Sequence, residues 1–255
     1  MRRFCLLALL LSSCVSAETL LKVEPNSVLR LPATSSSLLF KRLEVADHAT
    51  LLLPASLNEL RVDELLLGRD AHIGIAPSQQ AFHLEVKRGQ LAAGSHVSAR
   101  GSAGTAKVAA MPGRNLTLHF ERVLVTDLGL DVRGGAGAAG RHGADGQPGE
   151  SGGCVWGQAT QGADGQSGAD GQPGAAGGQV RFEVASNFVA EVVKFSALGG
   201  PGGEPGAGGA GGAGGALNNC LLYDAAGAAN GRPGVAGKPG AQGAAGSISW
   251  VRLAE

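Results

Sequence analysis

Short segments in which apolar and polar residues alternate recur along the chain. Each has the length and the two-residue period of a β-strand with one buried face. Two classes of segment follow one another in constant order. The first class comprises 20–23, 43–45, 60–62, 84–86, 116–118 and 180–182, with a last copy at 248–251, and the second comprises 27–32, 49–54, 71–76, 95–100, 128–133 and 193–198.

Two strand classes that alternate with a period of about twenty residues predict a parallel β-solenoid. In such a fold each coil buries its inward residues on the coil below. A β-sandwich with glycine-rich loops is the alternative, because short strands separated by turns occur there too. The constant order of the two classes through successive cycles favours the solenoid, so we expect an all-β protein.

The connection that follows the second strand class grows along the chain. It is a few residues after Pro54, longer at 101–115, and much longer after Arg133 and Leu198. Insertions at one corner of a solenoid emerge on one face and stack on each other. The predicted organisation is therefore a solenoid base at 18–133, a first insertion at 134–178, a coil at 179–198, a second insertion at 199–246 and a final strand at 247–255.

Glycine recurs at every third residue in both insertions. The chain has 43 glycines among 255 residues, and most lie in the runs 134–152, 162–177, 200–215 and 231–246. A three-residue period is that of the polyproline-II type helix, which has no internal hydrogen bonds. Such runs are ordered only where neighbours satisfy their backbone groups. Each insertion therefore reads as an extended hairpin with legs of about 50 Å, and we expect the four legs to form a polyglycine-II-type bundle.

Each hairpin carries one cysteine at its tip. The tips are 153–161 and 216–226, and the cysteines are Cys154 and Cys220. A disulfide between them would join the hairpins at their far ends. It would close a loop of about 66 residues and contribute roughly 4 kcal/mol by the chain-entropy estimate. Two unpaired thiols are the alternative.

The tips also differ from the legs in composition. The chain has only ten aromatic residues (seven Phe, two Trp and one Tyr), and two of them lie here. Aromatic and aliphatic side chains at an exposed end are typical anchors of a binding surface. A small apolar cap over the bundle is the alternative interpretation. The residues concerned are Val155, Trp156, Leu221, Leu222 and Tyr223.

The N-terminus predicts export. Arg2 and Arg3 precede a short apolar stretch, which is the pattern of a signal peptide. Cleavage after Ala17 would remove 1–17. Residues 11–14 resemble the bacterial lipobox, in which case 1–13 is removed and Cys14 is lipidated and attached to the outer membrane. Periplasm, outer membrane and extracellular space are all open destinations.

Charge and motifs exclude several functions. Without Arg2 and Arg3 the basic residues number 19 against 21 acidic ones, so the net charge near −2 gives no reason to expect nucleic acid as a partner. Asp145, Asp164 and Asp170 suggest a calcium site, but Asp164 and Asp170 are too far apart on one extended leg to share an ion within it. We expect these aspartates to be solvated. The candidates for catalysis lie on scattered strand positions without a companion motif: Asp47, His48, Asp63, Asp70, His72, His83, His96 and His119. We predict no catalytic residue, metal or cofactor.

The glycine runs resemble those of bacterial collagen-like proteins. The likeness covers about 75 residues and rests on Gly-Gln-Pro-Gly, Gly-Lys-Pro-Gly and Gly-Ala-Asp-Gly. It implies a secreted trimer, but the runs are short, their prolines are few, and the strands at 180–198 return the chain to its own core. The layout is also similar to polyglycine-II bundles such as those of certain phage tail-tip adhesins.

We therefore expect a monomeric, non-enzymatic structural or adhesive protein of the bacterial cell envelope, whose tip binds a surface protein or glycan. A carbohydrate-binding or carbohydrate-active β-helix protein, a trimeric collagen-like protein and, more weakly, an ice-binding protein are the alternatives.

Overall fold

The protein is all-β. The computed structural model describes residues 19–33, 35–154, 157–219 and 224–253, and only the backbone of 224 and 225. In this part of the chain the helical content is a single short 3-10 turn at Ala190–Val192. All other regular elements are strands, in agreement with the alternating pattern of the sequence.

The strands form two parallel sheets and one small hairpin. The first sheet contains, in spatial order, β1 (Leu20–Val23), β3 (Ser37–Val45), β5 (Glu59–Leu67), β7 (Phe82–Leu91), β9 (Leu116–Val125), β11 (Gln179–Val184) and β15 (Ser247–Arg252). The second sheet contains, also in spatial order, β2 (Val28–Arg30), β4 (Thr50–Leu53), β6 (His72–Ile75), β8 (Ser95–Ser98), β10 (Leu128–Asp131) and β12 (Val193–Ser196). The hairpin pairs β13 (Asn218–Asn219) with β14 (Asp224–Ala225).

Successive strands lie alternately in the two sheets, and neighbours within each sheet follow one another in chain order. Leu20 pairs with Arg42 in the first sheet and Val28 with Thr50 in the second, so at this first step both sheets advance by the same 22 residues. Every pairing within the two sheets is parallel. This arrangement is compatible with the solenoid that the sequence predicts.

Inward side chains of the two sheets form the core. Leu43, Leu65 and Leu91 lie in stacked strands and are essentially fully buried, as are Phe82 and Phe120. Burying one such side chain contributes about 1.5–3 kcal/mol. The stack ends in an aromatic cluster, in which Phe182 lies 5.0 Å from Phe120 and 5.0 Å from Trp250, measured between ring centroids.

The turn from the first sheet to the second repeats in each lower coil. Asn26, His48, Asp70 and Gly94 all have positive φ at the same point of this turn. Asparagine, aspartate and histidine are enriched among the non-glycine residues that adopt this conformation. The amide of Asn26 donates to the carbonyl of Asp47, and that of His48 to the carbonyl of Arg69, so each turn is hydrogen-bonded to the next.

The three long connections leave the sheets at one corner, as the sequence predicts for a solenoid. They lie between β8 and β9, between β10 and β11, and between β12 and β15, so each follows a strand of the second sheet. The last two connections contain all four glycine runs. This corner therefore positions the candidate functional region.

Candidate functional site: the glycine-rich bundle and its tip

Each long connection is an extended hairpin closed by backbone hydrogen bonds. We name the runs leg 1 (134–152), leg 2 (162–177), leg 3 (199–215) and leg 4 (227–246). Leg 2 donates to leg 1 in antiparallel order: the amide of Ala175 donates to Gly135 near the base, and that of Ala163 donates to Gln147 near the far end. Leg 4 donates to leg 3 in the same way, with N···O distances of 2.8–2.9 Å. The legs contain no regular strand and bond only to neighbours, as their three-residue period requires.

The two hairpins lie against each other along their whole length. Glycine amides of leg 1 donate to leg 3 in parallel order: Gly137 donates to Pro201 near the base, and Gly149 donates to Ala213 near the far end. Those of leg 2 donate to leg 4, and those of leg 3 donate back to leg 2. Legs 2 and 3 are therefore central, each bonded to the other three legs, whereas legs 1 and 4 lie at the edges.

Leg 3 differs from the other legs because it contains glycine at two of every three positions. A Cβ on Gly209 would lie 2.0 Å from the carbonyl oxygen of Ala144 in leg 1. A Cβ on Gly208 would lie 2.0 Å from the carbonyl oxygen of Gly234 in leg 4. Both distances are far inside van der Waals contact, so leg 3 has no room for side chains on two of its faces. The Gly-Gly-X pattern of 199–215 was a signal of this central position that the sequence analysis did not use.

Proline occurs in the legs only where no backbone hydrogen bond is needed. Proline lacks an N–H, and the residues one turn above and below each leg proline donate to no backbone carbonyl within the described chain. All six leg prolines are exposed. The six leg prolines are Pro148, Pro173, Pro201, Pro205, Pro233 and Pro239.

The leg aspartates have a structural role that the sequence analysis missed. We expected solvated charges. They are exposed, but Asp164 and Asp170 of leg 2 each accept the amide of a residue in leg 4, Arg232 and Lys238, at 2.6 Å. Asp145 of leg 1 accepts the amide of Ala210 in leg 3 at 2.7 Å. These carboxylates satisfy amides that face outward and bond to no backbone carbonyl.

The bundle begins within the first of the three long connections, 99–115. Gly101 donates to Arg133, just before leg 1, Gly104 donates to Ala136 in leg 1, and Gly113 donates to the carbonyl of Ala176 in leg 2. The next residue, Arg114, is only 1% exposed. Its guanidinium lies 5.3 Å from the ring centroid of Phe82, and burial lowers its pKa.

Arg114 joins this connection to the coils below. Its guanidinium donates to the carbonyls of Leu57, at 2.7 Å, and Gln80, at 2.8 Å, and to the side-chain oxygen of Asn58, at 2.9 Å. The partners of Arg114 are carbonyl oxygens and not a carboxylate. No sequence pattern indicates a buried arginine of this kind, and we did not predict it from the sequence.

The two tips lie next to each other at the far end of the bundle. The amide of Gly153 donates to the carbonyl of Gly157 at 3.1 Å, which closes the first tip. Antiparallel pairing of β13 with β14 closes the second. The side-chain amide of Asn218 donates to the carbonyl of Gly152 and so joins the tips.

Most of the predicted site residues lie outside the described residues, and Cys154 is the exception. Cys154 is engaged in a disulfide. No complete disulfide pair lies within the described chain, so the pairing of Cys154 with Cys220 stays a prediction. The other predicted residues that lie outside the described residues are Cys14, Val155, Trp156, Cys220, Leu221, Leu222 and Tyr223.

Charged residues on the outer faces of the sheets pair between successive coils. Asp47 accepts a hydrogen bond from Arg69 that lowers the pKa of its carboxyl, and Asp63 accepts one from Lys87 with the same effect. His48 lies 3.6 Å from Asp70. These candidates for catalysis are therefore distributed among pairs that link coils.

The histidines on the outer faces also have separate environments. Nε2 of His72 lies 2.7 Å from the hydroxyl of Ser98, and burial lowers the pKa of the imidazole. Nδ1 of His119 lies 2.9 Å from Glu183. His83 and His96 lie on β7 and β8. The fold does not bring the eight candidates together at one point.

Within the described residues no group of three or more His, Cys, Asp or Glu side chains could hold a metal ion. The described part of the chain also has no helix with the length and apolarity needed to cross a bilayer.

Comparison of the chain with family models, with curated proteins and with solved structures found no match. The functional argument therefore rests on geometry and chemistry.

Proposed function

We propose that the chain is an exported, non-enzymatic module of the bacterial cell envelope that presents a binding surface at the end of a stiff spacer. In this proposal the two parallel sheets are a β-solenoid base and the legs are a polyglycine-II bundle. The tip carries Trp156 and Leu221 to Tyr223, and a Cys154–Cys220 disulfide closes it. The partner is a surface protein or glycan.

The observation that carries the proposal is the continuous hydrogen bonding of the four legs from base to tip. Five glycine amides of leg 1, from Gly137 to Gly149, donate to leg 3 at 2.8–2.9 Å, and Gly134 donates to Leu198, just before leg 3, at 3.0 Å. Such a bundle is stiff and about 50 Å long, and it uses its glycine faces internally. The legs contain no aromatic residue, whereas each tip contains one.

The joined tips support a binding role. Asn218 of the second tip donates to Gly152 of the first, so residues far apart in sequence form one surface. Binding surfaces favour rigid aromatic anchors because little conformational entropy is lost on contact. A disulfide involving Cys154 adds to that rigidity.

The test compares tip variants with a leg variant. Fluorescently labelled mature protein is applied to bacterial envelope fragments and to a printed glycan array. The double variant W156A/Y223A is expected to lose at least tenfold in affinity, as for two hot-spot aromatics. Gln242→Ala changes an exposed side chain of leg 4 and is the matched control. Equal binding by the double variant and the wild type would rule out recognition by the tip.

A further inference from the structure

The first sheet is incomplete at its upper end. Strand β9 pairs with β7 below it along almost its whole length, from Phe82 with Leu116 to Leu91 with Val125. Strand β11 above it pairs only with the first half of β9, up to Phe120. Residues 121–125, which we name the β9 edge, have no strand above them in the described chain.

A series of backbone hydrogen bonds stops at this edge. The carbonyls of Val23, Val45, Leu67 and Leu91 each accept an amide from the coil above, with N···O distances of 2.8–3.1 Å. The equivalent carbonyl in β9 is that of Val125, and no described residue donates to it. An open edge of this kind is the template for addition of a strand from another chain.

The core is also uncovered at this point. A groove of about 1230 Å³ lies between the β9 edge and the loop 185–192. Val123 continues the inward row of Leu43 and Leu65 but is only partly buried, whereas those two are at most 1% exposed. Leu124, on the outer side, is 75% exposed. The groove therefore has apolar surface on which an added strand would pack.

The outer row of charges indicates what the added strand should carry. In successive coils this row reads Arg42, Glu64, Arg88 and Arg122. Arg42 and Glu64 form an ion pair at 3.1 Å. Arg88 and Arg122 are neighbours, and neither forms an ion pair with a described carboxylate. An acidic side chain directly above Arg122 would supply the missing opposite charge.

We propose that the β9 edge binds an extended segment of another protein as an added parallel strand. The segment carries an acidic residue above Arg122, and apolar residues above Val123 and Val125. The residue between them faces outward beside Leu124. This site lies on the two-sheet base and is independent of the proposed recognition at the tip.

The probe is the fluorescein-labelled peptide Asp-Glu-Val-Thr-Val-Ser, measured by fluorescence anisotropy with the full mature protein. We expect saturable binding with a Kd below about 1 mM. The Arg122→Glu variant weakens binding about fivefold, at the upper end for an exposed ion pair. A peptide with Lys in place of Glu restores binding to this variant. Arg30→Glu, an exposed charge reversal on β2, is the matched control and leaves binding unchanged.

Three results would overturn the proposal. The first is the absence of binding up to about 1 mM. The second is equal binding by a peptide with N-methylated threonine and serine, because the amides of these two residues would donate to the carbonyls of Val123 and Val125. The third is concentration-dependent self-association of the wild type that Arg122→Glu abolishes, because a second copy would then occupy the edge. Peptide binding that persists in W156A/Y223A separates this site from the tip.

Discussion

Replacement of Gly209 by alanine is the most informative perturbation of the bundle. The added Cβ would lie 2.0 Å from the carbonyl oxygen and 2.4 Å from the carbonyl carbon of Ala144. Both atoms belong to the backbone of leg 1, so no side-chain rotation relieves the contact. Legs 1 and 3 would have to separate locally by more than about 1 Å, since normal contacts begin near 3.4 Å.

The expected cost follows from the hydrogen bonds at this level of the bundle. Gly209 donates to Gln166 at 2.9 Å, Gly234 donates to Gly209 at 2.8 Å, and Gly143 donates to Ala207 at 2.8 Å. Losing three bonds at about 1 kcal/mol each costs about 3 kcal/mol. This free energy corresponds to a roughly hundredfold loss of local protection against amide hydrogen exchange.

The assay is amide hydrogen exchange measured by NMR, residue by residue. We expect the amides of Gly143, Gly209 and Gly234 to exchange about a hundredfold faster in Gly209→Ala, while amides of β5 and β7 keep their rates. Ala207→Ser is the control, because this exposed residue of leg 3 already has a Cβ. Equal protection in the two variants would refute close contact between the legs.

Three further predictions concern the base and the outer faces. Arg114→Met is expected to lower the free energy of unfolding by about 3 kcal/mol in urea, because the buried carbonyl of Leu57 and the part-buried one of Gln80 lose their donor; a change below about 0.5 kcal/mol would contradict this role. Burial lowers the pKa of His72, so below the unfolded-state value near 6.5 the unfolded chain binds a proton that the native chain does not. As the pH is lowered from about 7 to 5.5, the free energy of unfolding should therefore decrease, and His72 contributes less than about 1.4 kcal/mol per pH unit to this decrease. The His72→Gln variant should lose this contribution. An increase in the free energy of unfolding over the same pH range would contradict the prediction. The double variant D164A/D170A should speed exchange of the Arg232 and Lys238 amides about fivefold, whereas D164N/D170N keeps an acceptor and the wild-type rate; equal effects of both variants would show that the charge matters more than the hydrogen bond.

The order of the strands was predictable because burial in a sheet leaves a two-residue pattern. Segments such as 84–86 alternate clearly, and they lie in β7 as expected. Four strands of the first sheet are longer than predicted: the first half of β3 and the second halves of β5, β7 and β9 were missed, because these halves mix exposed apolar and polar residues. In β3, for example, Leu39 is 60% exposed, so 37–40 gave no clear alternation.

Other features left no local pattern to detect. The positions of the legs depend on contacts between residues more than sixty positions apart, such as Gly143 with Ala207. The burial of Arg114 depends on carbonyls from two lower coils. The β9 edge exists because β11 is short and the loop 185–192 follows where the second half of the strand would lie. This difference becomes apparent only when β11 is aligned with β9 in the sheet.

Isotope-filtered NMR tests the central claim most directly. In uniformly ¹⁵N,¹³C-labelled protein we expect through-hydrogen-bond couplings between the amide of Gly143 and the carbonyl of Ala207, and between the amide of Gly168 and the carbonyl of Val235, which join the two hairpins. A refolded mixture of chains labelled only with ¹⁵N and chains labelled only with ¹³C should lose both couplings, because the bonds lie within one molecule. Couplings that persist in the mixture would mean that the glycine runs pair between chains, and absence of the couplings from the uniformly labelled sample would mean that the bundle does not form.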